Sequence, residues 1–537
     1  MIRKLVPIIV DLLLLRHLTR LVARLRSRKR DVGNTSQTQS TDDAKLVDNV
    51  GNRSSSFWHH VAKNLIIGLT ITVGLHLAHG LHLSMFVSVE DYAMDFVMRQ
   101  FRNIASRKGE NTAFVLLEVD QAAFQEWDEP FYLHRDQVKR LIERAVAGTP
   151  ALIIVDIDLS KRGRNDGSGE LKRYLERYAA QSNPPNPPLV LVRTLRNWPP
   201  NLPEGYPLPQ RSSFLDPVVD AADNIFWASP HFQRDEDYRV RRWWLWLATC
   251  TEGRASALPS VQLLSQLLLD ETDERPPAEK HKWLKEILVG ITPSCNLQDA
   301  EPKKDSKYRE SNTQVIDIRG HEVDLRGSML SQRLIYSIPY EETNGANRPT
   351  VWLDNRNVRL FEHESALRID QMDPGFLAGR VVVIGGTYRE TRDWYATPIG
   401  EMPGAMVVIN AVHSLGVNGQ LRLPSVWTKL IVEALLIIMM SIVFARLSSL
   451  LGYLLSSVLI LIGLVPISFL MFRSGVWIDF ALPLLAVQLH EFAAEFESEG
   501  ATSGEKETSH SADVDGNASG FHEEPASETT KDEDAAV

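Results

Sequence analysis

The chain has 537 residues, 44% apolar and 23% charged, ordinary proportions for a folded protein that exclude a fibrous or wholly disordered chain. Its formal net charge of -10 is uneven: basic residues crowd the first thirty positions, while the tail from Glu491 carries fourteen acids against two lysines. Without the tail the rest is near neutral, so charge points to no nucleic-acid partner. The two cysteines, Cys250 and Cys295, make neither a disulfide framework nor a metal-ligand spacing. In an oxidising compartment a single bridge between them is possible.

In chain order, residues 1–60 read as a cytoplasmic basic arm followed by a flexible linker. Within the arm, Val6–Leu15 is too short to span a membrane and suits an interfacial helix, its arginines reaching for anionic lipid. The polar stretch Val32–Ser56 is the linker. Residues 61–86 are apolar for long enough to cross a bilayer, as are 427–445 and 450–472, with 476–490 a shorter fourth segment holding Pro483. Arg16, Arg20, Arg24, Arg26, Arg28, Lys29 and Arg30 precede the first segment, which places the N-terminus in the cytoplasm and residues 87–425 outside. Four spans return residues 491–537, a disordered acidic tail, to the cytoplasm. His76, His79 and His82 recur in the first span near its outer end, where interfacial or helix-packing roles compete with metal or haem binding.

The displayed region alternates strand and helix. Asp91–Asn103 has helical spacing and follows the first span. Ala113–Val119 and Leu152–Ile157 are buried strands flanking an amphipathic helix, His134–Ala147, a βαβ arrangement that implies a parallel sheet. Glu170–Ala179 and Leu189–Arg193 continue the alternation, as do the helix at Leu258–Leu269 and the strand Arg380–Ile384. Asn183–Pro209, rich in proline, reads as extended loop. Glu271–Gln332 is charged and weakly periodic, an irregular insertion or peripheral subdomain. The fold class is therefore α/β, an extracytoplasmic mixed or parallel sheet domain with four transmembrane helices, one before and three after it.

With these pieces in order, the chain resembles the type-2 CHASE domain, an extracytoplasmic sensor found in front of adenylate cyclases, histidine kinases and similar outputs in bacteria. Val89-Glu90-Asp91 through Arg99 and Arg102 match its opening helix, Leu117-Glu118-Val119-Asp120 its first strand, and Ile154-Val155-Asp156-Ile157-Asp158 its second. Trp127 through Arg135 is a degraded form of its Trp-Pro-Trp-x-Arg turn. Asp235-Glu236-Asp237-Tyr238-Arg239 matches its Asp-x-Asp turn, with tyrosine where the family usually has glycine. Leu258-Pro259-Ser260, Gly379–Gly386, Asp393, Thr397-Pro398 and Met402-Pro403-Gly404 complete the series, and Ala405–Leu415 is the closing helix. The resemblance covers Val87 to His490. Only an acidic tail follows, so no fused output domain is expected.

The resemblance implies a multi-pass receptor of a bacterial inner membrane, in contact with membrane lipids. It would detect an unknown small-molecule or envelope signal and pass it to a separate effector protein, with a homodimer possible. The alternative is a non-catalytic membrane scaffold. No nucleophile elbow, HExxH, Walker or kinase motif is present, so neither an enzyme nor a cofactor is expected. The candidate ligand-binding residues are Asp120, Asp156 and Asp158, at carboxyl ends of strands where open parallel sheets bind ligands, and Asp393 in the loop before the closing helix. The competing reading of each is a cap on a turn or helix. Asp235, Asp237 and Arg239 suit a hairpin turn with an internal ion pair. Gly385-Gly386 lacks the spacing of a phosphate loop and suits a tight turn.

Overall fold

The structure, a computed structural model, describes most of residues 48–490; outside it lie residues 1–47, 81–83, 101–111, 131–132, 163–165, 182–183, 196–206, 296–313, 341–350, 354–358 and 491–537, with isolated positions between 448 and 488. The expectations for Val6–Leu15 and the acidic tail therefore fall outside the described residues. Met1–Lys63 and Asn64–Val537 form two units. The described part of the first is the opening of helix α1 (Asp48–Gly80). That helix begins inside the expected linker; the stretch from Asp48 to Ser56 lacks proline, and extending a nucleated helix costs little.

In the second unit, a seven-stranded sheet forms the centre of the α/β domain. Its strands are β1 (Phe114–Val119), β2 (Leu152–Asp156), β3 (Leu189–Val192), β4 (Ile225–Ala228), β5 (Val351–Leu353), β6 (Arg359–Ser365) and β7 (Val381–Gly386). The order is β5-β6-β1-β7-β2-β3-β4, parallel throughout except that β5 runs antiparallel to β6. Strand β7, late in sequence, is thus inserted between β1 and β2, with Val381 opposite both Phe114 and Leu152.

Both faces of the sheet are covered, which is why its strands read as unbroken apolar runs rather than alternating ones. Val115, Leu117, Ile153, Val155 and Ile384 face a layer made by α3 (Gln121–Glu126), α4 (Arg135–Ala147), α5 (Ser168–Ala180) and α6 (Asp216–Ala221). Phe114, Leu116, Ile154, Val190 and Val383 share the opposite core with α2 (Ser84–Gln100), α7 (Val261–Leu268) and, later in the chain, α9 (Gly404–Asn418). In α4 the buried residues Val138, Leu141, Ile142 and Ala145 follow the helical repeat, so this helix was readable.

The segment read as an irregular insertion or peripheral subdomain has regular elements among its described residues. It contains α8 (Pro277–Gly290) and a hairpin, Val315–Ile318 with His321–Asp324. The buried stripe of α8 is Lys280, Leu284 and Leu288; a lysine in it masks the periodicity, and Lys280 satisfies its ammonium on the Asp270 carbonyl. Leu258-Pro259 belongs to a strand, Arg254–Pro259, and α7 begins only after Ser260, whose hydroxyl accepts from the Leu263 amide at 3.3 Å. Cys250 and Cys295 are bonded, tying the hairpin Trp246–Pro259 to the chain beyond α8.

Among the described residues, two helical stretches, Phe57–Ala78 and Trp427–Arg446, are long and apolar enough to cross a membrane. The second belongs to α10 (Val426–Arg446), N-capped by Ser425. Farther on, Ile460–Leu464 is π-helical and leads into α11 (Val465–Phe472). Pro466 supplies the reason: it cannot donate to the preceding turn and crowds it, and a wider turn relieves both problems. Of the expected fourth segment, Val476–Phe480 is not helical, held by the Trp477 amide donating to Arg422, and the described helical residues begin at Leu482.

Candidate functional site

The carboxyl ends of β1, β7 and β2 lie side by side, and the loops leaving them carry the four candidate aspartates. Two of these are caps. Asp120 precedes α3 and accepts the Ala123 amide at 2.8 Å. Asp158 accepts the Ser160 amide at 2.9 Å and the Thr194 hydroxyl, closing the turn after β2.

Asp156 and Asp393 are different, and the fold brings them together. Asp156 ends β2 opposite Gly385, and among the described residues nothing donates a hydrogen bond to its carboxyl group. Asp393 precedes the hairpin Trp394–Pro403, its carbonyl accepting the Gly404 amide at 2.8 Å at the start of α9. Its carboxyl group lies so close to Gly404 that a Cβ there would fall 2.1 Å from Oδ2. Gly385 is required for a similar reason. A Cβ on it would meet that of Ala405 at 2.6 Å, so the glycine pair ends a strand against α9 instead of making a tight turn.

Burial, reinforced by the charge of Asp393, pushes the Asp156 carboxyl from 3.8 up to about 8. The folded protein therefore holds a proton here that the unfolded chain releases, and the cost of losing it grows as pH rises between these two values. Asp156→Asn is expected to stabilise the protein at pH 8 by about 1–3 kcal/mol and to have little effect near pH 4. Thermal unfolding across that range checks it, and a gain independent of pH would contradict the assignment.

Beside this pair lies a polar cluster that sequence reasoning missed. Glu118, buried in β1, accepts from Thr387 Oγ1 at 2.9 Å, from the Tyr340 hydroxyl at 3.2 Å and from His363 Nδ1 on β6. The readable signal was a glutamate two positions after Leu116, on the same buried face of an apolar strand.

A larger assembly joins the domain to α2, the helix that follows α1 in the chain. Asp91 and Asp95, one turn apart on α2, meet Arg239, Arg241, Arg242 and Arg333. Arg241 bonds Asp95 at 2.9 Å and Asp237 at 2.6 Å; Arg242 bonds Asp91 at 2.7 Å and also Asp235; Arg333 bonds Asp95 at 2.7 Å and also Asp91. Four carboxylates and four guanidinium groups thus balance, as burial of charge demands. Asp95 and Arg333 are each only 1% exposed. The expected turn is present, with Asp235 accepting the Tyr238 amide at 2.8 Å and Arg239 lying 3.8 Å from Asp237. Tyr238 sits at φ 61°, a left-handed conformation that glycine would adopt without strain.

The two assemblies are connected. Tyr395 bonds the Asp393 side chain and lies under the Arg234 guanidinium at 4.9 Å. In the same hairpin Ala396 is bridged to Arg239, which pairs with Asp95 at 3.2 Å. Arg99, near the end of α2, donates to the Pro398 carbonyl at 2.7 Å.

No curated protein and no solved structure matches the chain. A family model does, over residues 67–445, which take in the central sheet, the carboxylate pair, the Asp/Arg assembly and α10. The chain therefore belongs to the CHASE2 domain family, whose members are extracellular sensory domains.

Proposed function

We propose that this protein is a membrane-anchored receptor whose α/β domain binds a ligand at the Asp156–Asp393 pair and reports it through α2. The observation that carries this reading is the run of contacts from Asp393 through Tyr395, Ala396 and Arg239 to Asp95. A ligand that stabilises one charge state of the carboxyl pair would favour one position of the hairpin Trp394–Pro403, and the buried ion pairs would transmit that preference to α2. The ligand class that suits two apposed carboxyl groups at the start of a helix is a small cation or a polar molecule rich in hydrogen-bond donors. Asp120 and Asp158 shape the loops around the pair.

In this reading four apolar segments hold the domain outside a bacterial inner membrane, the N-terminus and tail are cytoplasmic, and a separate effector receives the signal. The test is a ligand panel of metal ions, amines and amino acids against thermal unfolding of the full chain in detergent. A ligand at about a hundred times its Kd should add about 2.7 kcal/mol, and Asp156→Asn should remove that gain. A panel without a hit would favour a membrane scaffold instead, and a gain that survives the substitution would place the ligand away from the pair. A reporter fused to the C-terminus and active outside the cytoplasm would overturn the topology.

A further inference from the structure

A cavity with polar groups in its lining lies outside the α/β domain. Residues of α1 from Asn64 onward, α10, and the segment Trp477–His490 surround a cavity of about 240 Å³. Ile71, Leu75, Leu436, Met440 and Leu482 give it apolar walls. Asn64 and His76 both line it, and twelve residues of helix between them correspond to about 18 Å, so the cavity is elongated.

Its lining is polar in separate places. Glu90 and Asp479 belong to one group; burial first, and then the charge of Asp479, pushes Glu90 up to about 7. His76 contacts Glu433 at 3.2 Å, and Lys429 lies 4.0 Å from the same carboxylate, so these three answer one another. His490, beside Asn64, is not answered. It is 3% exposed and stacked on Phe444 at 4.4 Å, and among the described residues neither ring nitrogen makes a hydrogen bond of good geometry, only a weak backbone contact at Asn64. A buried imidazole can donate from one nitrogen and accept at the other, and leaving both unused is costly.

We infer that this cavity binds a single-chain carboxylic acid of the fatty-acid class, its head group on His490 and its chain along the apolar wall. The acids Glu90, Asp479 and Glu433 set the orientation, since they disfavour a carboxylate among them and leave His490 as the receptive end. The inference rests on the membrane placement of α1 and α10 and is independent of the Asp156–Asp393 pair.

Equilibrium binding of radiolabelled tetradecanoic acid to the full chain in phosphatidylcholine nanodiscs tests it. One saturable site per chain is expected, with methyl tetradecanoate and tetradecylamine each about tenfold weaker or worse, a difference of about 1.4 kcal/mol. His490→Phe, which keeps the ring stack but removes both nitrogens, should weaken the acid about tenfold without changing the ester. Ala486→Leu, which fills the wall, should weaken both. Unsaturable uptake, equal binding of acid and ester, or unchanged affinity in both variants would overturn the proposal. Should a variant fail to fold, the comparison of head groups on the unaltered protein decides alone.

Discussion

Replacing Asp95 by asparagine is expected to lower the unfolding free energy by about 3–5 kcal/mol, the largest effect of any single substitution considered. Asp95 accepts from three guanidinium groups, those of Arg239, Arg241 and Arg333. The amide keeps the shape but removes the charge, leaving a surplus cation where little water can reach. Removing one member of a buried, balanced set costs more than the set contributes, because the partner charges remain desolvated. A second substitution separates this account from simple loss of packing. Arg333→Met in the Asp95→Asn background restores charge balance, so the double variant should be more stable than the sum of the two single losses predicts. Chemical or thermal unfolding of the four proteins in one detergent measures the coupling. Strict additivity would show that the network does not act as a unit.

The second large effect concerns the bond between Cys250 and Cys295, whose half-cystines are 45 positions apart with Cα atoms separated by 5.9 Å. Closing a loop of this size restricts the unfolded chain, and Cys250→Ser is expected to cost about 2–4 kcal/mol. A reducing agent should produce a similar loss in the unaltered protein and none in the variant. Labelling with a thiol-specific maleimide under denaturing conditions, with and without reduction, checks that the bond forms in the cell. Its presence agrees with a domain displayed in an oxidising compartment. Two free thiols in protein isolated under alkylating conditions would contradict that placement.

The pattern of residues made much of the fold legible. Phe114–Val119 and Leu152–Asp156 were readable as strands because both faces are covered, and α4 because its apolar residues recur at 3.6. Other elements were obscured by single residues with tertiary partners. Lys280 disguised the buried face of α8, since an ammonium looks solvent-exposed until the Asp270 carbonyl is seen beside it. Gly385 looked like a turn residue because the close approach comes from Ala405, twenty positions later on a separate helix.

The candidate site divides in the same way. That Asp120, Asp156 and Asp158 stand at strand ends is a property of the sequence, because strand length and the acid that follows are local facts. Which of them caps a turn and which faces another carboxyl group was decided by β7 inserting between β1 and β2, so that Asp156 and Asp393 became neighbours. The pairing of Arg333 with Asp95, 238 positions apart, has the same origin. Hydrophobic periodicity and turn chemistry act over a few residues, and they determined by themselves the main strands of the sheet, the long apolar stretches and the α/β class. Charge pairing depends on which surfaces meet once those elements pack, and only the tertiary structure decided that.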